Sequence, residues 1–168
     1  MTVYKKTLLW AAGLFIFDAF FLNQGAVALV LILLVFLVFL PRALWAARKD
    51  RPLYRQRVIK ASIYLLAAIL IFVSLGVQNR IADRHAVAIG KACLAYRAKY
   101  KHYPKTLNEL VPEFMTSVPP AKYVLGGGGN FFYMPGFEDH EPTLFYEAIP
   151  PFGRRFYHME TGAWGFLD

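Results

Sequence analysis

The stretch that decides the architecture runs from Ala61 to Pro104: ASIYLLAAILIFVSLGVQNRIADRHAVAIGKACLAYRAKYKHYP. Its first part, Ala61–Val77, is apolar without interruption. From Gln78 the chain turns amphipathic, and up to Tyr100 it holds no proline and only one glycine, Gly90. Ile81, His85, Ala88, Ala92 and Tyr96 recur at spacings of three and four, which predicts a helix with that set on its apolar face. Nothing at residue 78 stops a helix. The reading is therefore one helix from about Val58 to Tyr100, half lipid-soluble and half water-soluble.

Two further apolar runs precede it, Thr7–Leu22 and Ala26–Leu40, separated by Asn23-Gln24-Gly25 and closed by Pro41-Arg42. Each approaches the length of a membrane span. The expectation is three spans: a hairpin plus basic segment over residues 1–60, then the third span over 61–77. A cleaved signal is the poorer reading of the first run, because polar mature sequence does not follow it.

Charge orients this layout. Residues 1–77 hold nine Lys/Arg against Asp18 and Asp50, a net +7, whereas residues 78–168 hold ten against nine, a net +1. The excess lies at Lys5-Lys6 and between Arg42 and Lys60, which cytoplasmic loops favour. Residues 78–168 then fall outside the cytoplasm. A nucleic-acid binder needs its charge on a domain face, so that class is set aside. Asp18, the carboxylate inside a span, reads as a structural group reaching the interface or Asn23. Cys93 has no second cysteine to pair with and reads as a small buried residue.

Beyond the long helix, Pro104 is a stop. Thr106 and Glu109 have capping-box spacing for a short helix from Leu107 to about Phe114, with Pro112 ending or bending it. Short Tyr-, Phe- and β-branched-rich runs follow at Lys122–Leu125, Asn130–Met134, Thr143–Ile149, Arg154–Met159 and Ala163–Leu167. Gly126–Gly129, Pro135-Gly136, Pro150–Gly153 and Glu160–Gly162 separate them as turns, predicting an antiparallel meander. The fold class expected is membrane α-helical with an α+β domain over 78–168, its long helix packed on a small antiparallel sheet.

The order of long helix, Tyr-Pro-x-x-Leu-x-x-Leu-Val-Pro and sheet resembles type IV pilin-like proteins, in particular the major pseudopilins of type II secretion. Tyr96, Tyr100, Tyr103, Pro104, Leu107, Leu110, Val111 and Pro112 carry the resemblance, which covers Ala61 to about Met134. It implies a bacterial inner-membrane protein with a periplasmic domain that works by protein–protein contact. Prepilins carry a Gly-Phe peptidase site and a glutamate at the start of the apolar run. Here Arg57-Val58-Ile59-Lys60 precedes it. The resemblance therefore implies a permanently anchored domain rather than a filament subunit.

No nucleophile elbow, dinucleotide fingerprint or paired catalytic carboxylates are present, and no cofactor is implied. Glu138 and His140, with His158, form a weak metal candidate whose plainer reading is a solvated loop. Tyr103, Pro104, Leu107, Leu110, Phe152, Arg154 and Arg155 are the candidate partner-contact residues. The expected partners are membrane lipid and other membrane or periplasmic proteins, pilus or secretion components among them. The rival functions are an accessory subunit of a membrane enzyme and a metal-binding enzyme domain.

Overall fold

The computed structural model describes residues 2–23, 25–48, 50–125, 129–136, 141–149 and 153–167. The chain divides into two compact units, Met1–Gly76 and Val77–Asp168. The helical elements are α1 (Thr2–Phe17) with a π-turn (Asp18–Leu22), α2 (Ala26–Leu34) with a π-turn (Val35–Phe39), α3 (Leu40–Ala47), α4 (Arg51–Tyr100) and a short 3₁₀ helix (Leu107–Leu110). The strands are β1 (Phe132–Met134), β2 (Thr143–Ile149), β3 (Gly153–His158) and β4 (Trp164–Leu167).

In the first unit, helices meet through small residues. Ala11, Ala28, Ala67 and Ala68 are buried together with Leu31 and Ile71. The bulky side chains point the other way: Leu9 is 74% exposed, Trp10 67% and Leu37 71%. Asn23 and Gly25, both left-handed, turn the chain between α1 and α2. Asp18 is buried at this turn, where Oδ1 accepts the Gly25 N–H (3.3 Å) and Oδ2 the Val27 N–H (3.3 Å). Its carboxylate thus satisfies donors at the start of α2 that an apolar setting would leave unpaired.

Two helices are long and apolar enough to cross a membrane by length and composition, Ala26–Ala47 and Arg51–Tyr100. The expectation of three spans is not supported. Thr2–Leu22 carries Lys5, Lys6 and Asp18 within its length, so no 18-residue stretch of it is free of three charges. The second run also does not close at Pro41. The π-turn before it shifts the hydrogen-bond register, Pro41 sits in the first turn of α3, and helix continues to Ala47. Asp50 begins α4, its Oδ1 accepting the Leu53 N–H at 3.0 Å.

In the second unit the sheet order is β1-β2-β3-β4, every neighbour antiparallel, as the meander predicts. One row across it, Tyr133–Leu144–Tyr157–Trp164, faces the core. The next row, Phe132–Phe145–Phe156–Gly165, lies on the opposite face. The helix stripe that receives the sheet is Ala82, Ala86, Ile89 and Cys93, all fully buried. This is one position round from the expected set, of which Ala92 is buried in the same core and Tyr96 packs against it, while Ala88 is exposed. Alanines on both sides of α4 leave periodicity blind to a rotation of that size, and sheet aromatics select the side with least bulk. The Tyr157 ring lies so close to Gly90 that a Cβ there would stand 2.7 Å from it. Buried at Cys93, the thiol is pushed up to about 12.

Two expected elements fail for identifiable reasons. Lys122–Leu125 is not a strand, because α4 claims the backbone around it. His85 Nδ1 donates to the Pro120 carbonyl at 2.7 Å, and the Gln78 amide exchanges two hydrogen bonds with the Tyr123 backbone (3.1 and 3.0 Å). The Leu107–Phe114 helix shortens to the 3₁₀ turn Leu107–Leu110. Val111 precedes Pro112 and is extended, φ −99° and ψ 137°.

Lys122 is 4% exposed, and its Nζ donates to the Ala148 carbonyl at 3.1 Å. Burial lowers its pKa to about 8, opposed by the charge of Glu147.

Two outcomes follow from this packing. Gly90→Val is expected to destabilise the domain by about 1–3 kcal/mol through overpacking against Tyr157, read as a fall in melting temperature of the full chain in detergent. Lys122 binds its proton less tightly folded (about 8) than unfolded (near 10.5), so stability rises with pH through that window. Between pH 7 and 9 the gain from Lys122 is about 1 kcal/mol, partly offset above about pH 8 as the Cys93 thiol ionises in the unfolded chain but not in the folded one. Lys122→Met is expected to flatten the slope; an unchanged slope would show that Lys122 is not its source.

Candidate functional site

The end of α4 and the Tyr-Pro turn form one bonded assembly. Lys101 closes the helix in the left-handed conformation (φ 67°), its N–H donating to the Arg97 carbonyl at 2.8 Å. Arg97 Nη1 donates to Tyr103 Oη (2.9 Å) and to Glu160 Oε1 (2.6 Å), and Tyr103 Oη donates to the same carboxylate oxygen at 2.9 Å. Partial burial raises the Tyr103 pKa first, with the Glu160 contact adding to it. Lys99 pairs with Glu113, which also accepts from Tyr100 Oη at 2.8 Å. Those two donors hold the Glu113 carboxyl below its ordinary range. Tyr96, Tyr100 and Phe114 pack ring against ring in tilted and edge-on pairs, with centroids 4.7–6.2 Å apart.

Thr106 makes no side-chain cap, whereas the Glu109 carboxylate does reach back, accepting the Lys105 N–H at 3.2 Å and the Tyr96 hydroxyl at 3.1 Å. Tyr133 Oη donates to the Pro104 carbonyl at 2.8 Å, tying the turn to β1.

A groove of about 590 Å³ lies beside this turn. Its walls are Lys105–Asn108, Val118–Pro120, and Asn130, Phe131 and Tyr133 leading into β1. Among the described residues β1 pairs only with β2, so its other edge keeps its hydrogen-bonding groups without a strand partner. Phe131 and Tyr133 supply aromatic surface, and Asn108 and Asn130 polar side chains, at one opening.

The structure distributes the sequence candidates unevenly. Leu107 and Tyr103 are half-buried, and Leu107 lines the groove. Pro104 and Leu110 are fully buried, Leu110 in the core cluster with Leu144 and Tyr157. Arg154 is exposed on β3 between Glu147 and Leu167. Arg155 lies on the other face, its Nη1 3.2 Å from Asp83 Oδ2 and its guanidinium over the Trp164 ring at 4.7 Å. Tyr146 donates to the other Asp83 oxygen at 2.7 Å. Sequence reasoning missed this Asp83–Tyr146–Arg155–Trp164 cluster, since its members come from α4 and three strands.

Phe152, Glu138 and His140 lie outside the described residues. His158 Nδ1 is 3.2 Å from Thr143 Oγ1 and 3.9 Å from Glu141 Oε2, while Glu160 is engaged with Arg97. Among the described residues no group of three His, Cys, Asp or Glu is placed to hold a metal ion.

Tyr133→Phe is expected to cost about 1 kcal/mol and to free the Tyr-Pro turn. Hydrogen exchange should quicken at the Glu109, Val111 and Phe114 amides while the β2–β3 amides stay protected. Unchanged exchange at the turn would mean that Tyr133 does not hold it.

Comparison with protein families, with curated proteins and with solved structures finds no match for this chain.

Proposed function

We propose that this chain is a membrane-anchored, non-enzymatic adaptor whose α+β domain binds an extended segment of a partner protein in the groove along β1. The observation that carries the reading is that groove: a free strand edge flanked by aromatic rings and by the rigid Lys105–Asn108 turn. Strand addition draws affinity from main-chain hydrogen bonds and specificity from side-chain pockets, and both are supplied here. The bonded network from Arg97 to Glu160 keeps the turn preorganised, which lowers the ordering cost of binding.

The anchor rests on the first unit. Small residues inside and Leu, Trp and Phe outside is a distribution that water disfavours and lipid accommodates. With the basic Arg42–Lys60 segment in the cytoplasm, α4 leads the domain to the other side whether or not α1 crosses. In a bacterial inner membrane that side is the periplasm. The long helix packed on an antiparallel sheet supports a pilin-like ancestry for the domain. The partner is then a subunit of a pilus, secretion or other membrane complex.

A photo-crosslinking residue in place of Asn108 or Asn130 of the full chain, in cells, is expected to capture one and the same protein. The same residue in place of Arg154, on the far face of the sheet, should not. Capture at Arg154 alone, or different proteins at Asn108 and Asn130, would overturn the groove as the contact.

A further inference from the structure

We propose that the elbow between α3 and α4 is a binding site for the phosphate headgroups of anionic phospholipids, an inference that rests on the membrane anchorage above. Six described cations flank it in the chain: Arg42, Arg48, Arg51, Arg55, Arg57 and Lys60. Asp50 is the carboxylate among them, and its Oδ1 already accepts the Leu53 N–H. No ion pair in the described residues involves any of the six; the pairs found lie at Arg97, Lys99, Arg155 and His158.

One hydrogen bond between α3 and α4 brings part of this charge together. Arg57 Nη1 donates to the Arg42 carbonyl at 2.5 Å, which holds the second turn of α4 beside the start of α3. Arg51 and Arg55, four residues apart, share a helix face. Such a concentration of like charge repels itself until anions neutralise it. Exposed Leu44 and Trp45 on α3 and Tyr54 on α4 stand among the cations. Interfacial tryptophan and tyrosine with Lys/Arg at the end of apolar helices suit the boundary between headgroup and acyl chain, where juxtamembrane basic clusters attract anionic lipid. A soluble polyanion would gain nothing from the apolar side chains.

The test uses the full chain in vesicles of equal parts phosphatidylglycerol and phosphatidylcholine, extracted in mild detergent, with native mass spectrometry of the lipid retained. Phosphatidylglycerol is expected to be retained over phosphatidylcholine, and less so as salt is raised. The combined variant Arg48→Gln, Arg51→Gln, Arg55→Gln and Lys60→Gln is expected to lower that preference on the order of tenfold, while Arg57 keeps its bond to Arg42. Equal retention of the two lipids by the wild type, or an undiminished preference in a variant whose near-ultraviolet circular dichroism is unchanged, would overturn the proposal. If the variant does not fold, absence of any salt effect on the wild type does the same. Inorganic phosphate in tenfold excess should leave the retained lipid in place; displacement would assign the site to soluble phosphate instead. Release of the chain from vesicles by alkaline carbonate would defeat the anchorage reading itself, whereas a chain that stays but retains both lipids alike defeats only the headgroup inference.

Discussion

The contact of the Tyr157 ring with Gly90 sets the terms for the α+β domain. A helix lies close against a sheet of aromatic residues where its facing stripe is small, and α4 supplies Ala82, Ala86, Gly90 and Cys93 there, with Ile89 buried beside them. Once that stripe is fixed, the rest is constrained. Tyr157 stacks on Trp164 with centroids 4.8 Å apart, Leu144 and Met159 close the space around it, and Leu110 seals the end nearest the Tyr-Pro turn. His85 and Gln78 are then placed to hold the Pro120–Tyr123 backbone, so a loop rather than a strand passes beside the helix. The groove beside β1 owes one of its walls to that loop.

A related asymmetry of size governs the first unit, with alanine at the helix contacts and large apolar side chains turned away. In the proposed lipid setting, helices gain little from hiding apolar surface from one another, and close approach through small residues is the means of association. The turn between α1 and α2 follows the same economy of bulk. Asn23 and Gly25 take left-handed conformations, and Asp18 supplies the acceptor that the first N–H groups of α2 need. A carboxylate that looks out of place in an apolar run is thus a helix cap contributed from the preceding helix. That role fits the reading of Asp18 as a structural group, with Gly25 and Val27 rather than the Asn23 side chain as the partners of its carboxylate.

The sequence readings that held depend on local chemistry. The long helix, its end near Tyr100, the antiparallel pairing of the last four expected strands and the turn at Glu160–Gly162 each follow from proline, glycine and side-chain period within a few residues, whereas 126–128 and 150–152 of the other expected turns lie outside the described residues. Those that changed depended on distant partners. Pro41 did not end its helix because a π-turn precedes it, and the buried face of α4 lay one residue round from the set that spacing suggested. The candidate site was legible in part. Leu107 and Tyr103 stand at or beside the groove, but Pro104 and Leu110 proved to be core, and Asn130, Phe131 and Pro120 carried no signal that would have joined them to it.

By itself the sequence determined the concentration of positive charge before residue 78, the apolar runs and the alternation of strands and turns. These are properties of composition and of neighbours in the chain, and no tertiary contact is needed to create them. Only the tertiary structure decided which side of α4 is buried, that Arg155 pairs with Asp83 while Arg154 stays exposed, and that Lys122 lies inside. The physical reason is the same in each case. Helix and strand periods fix which residues share a face, but the choice of the face that meets the core rests on the volumes and hydrogen-bonding groups of residues far away in sequence.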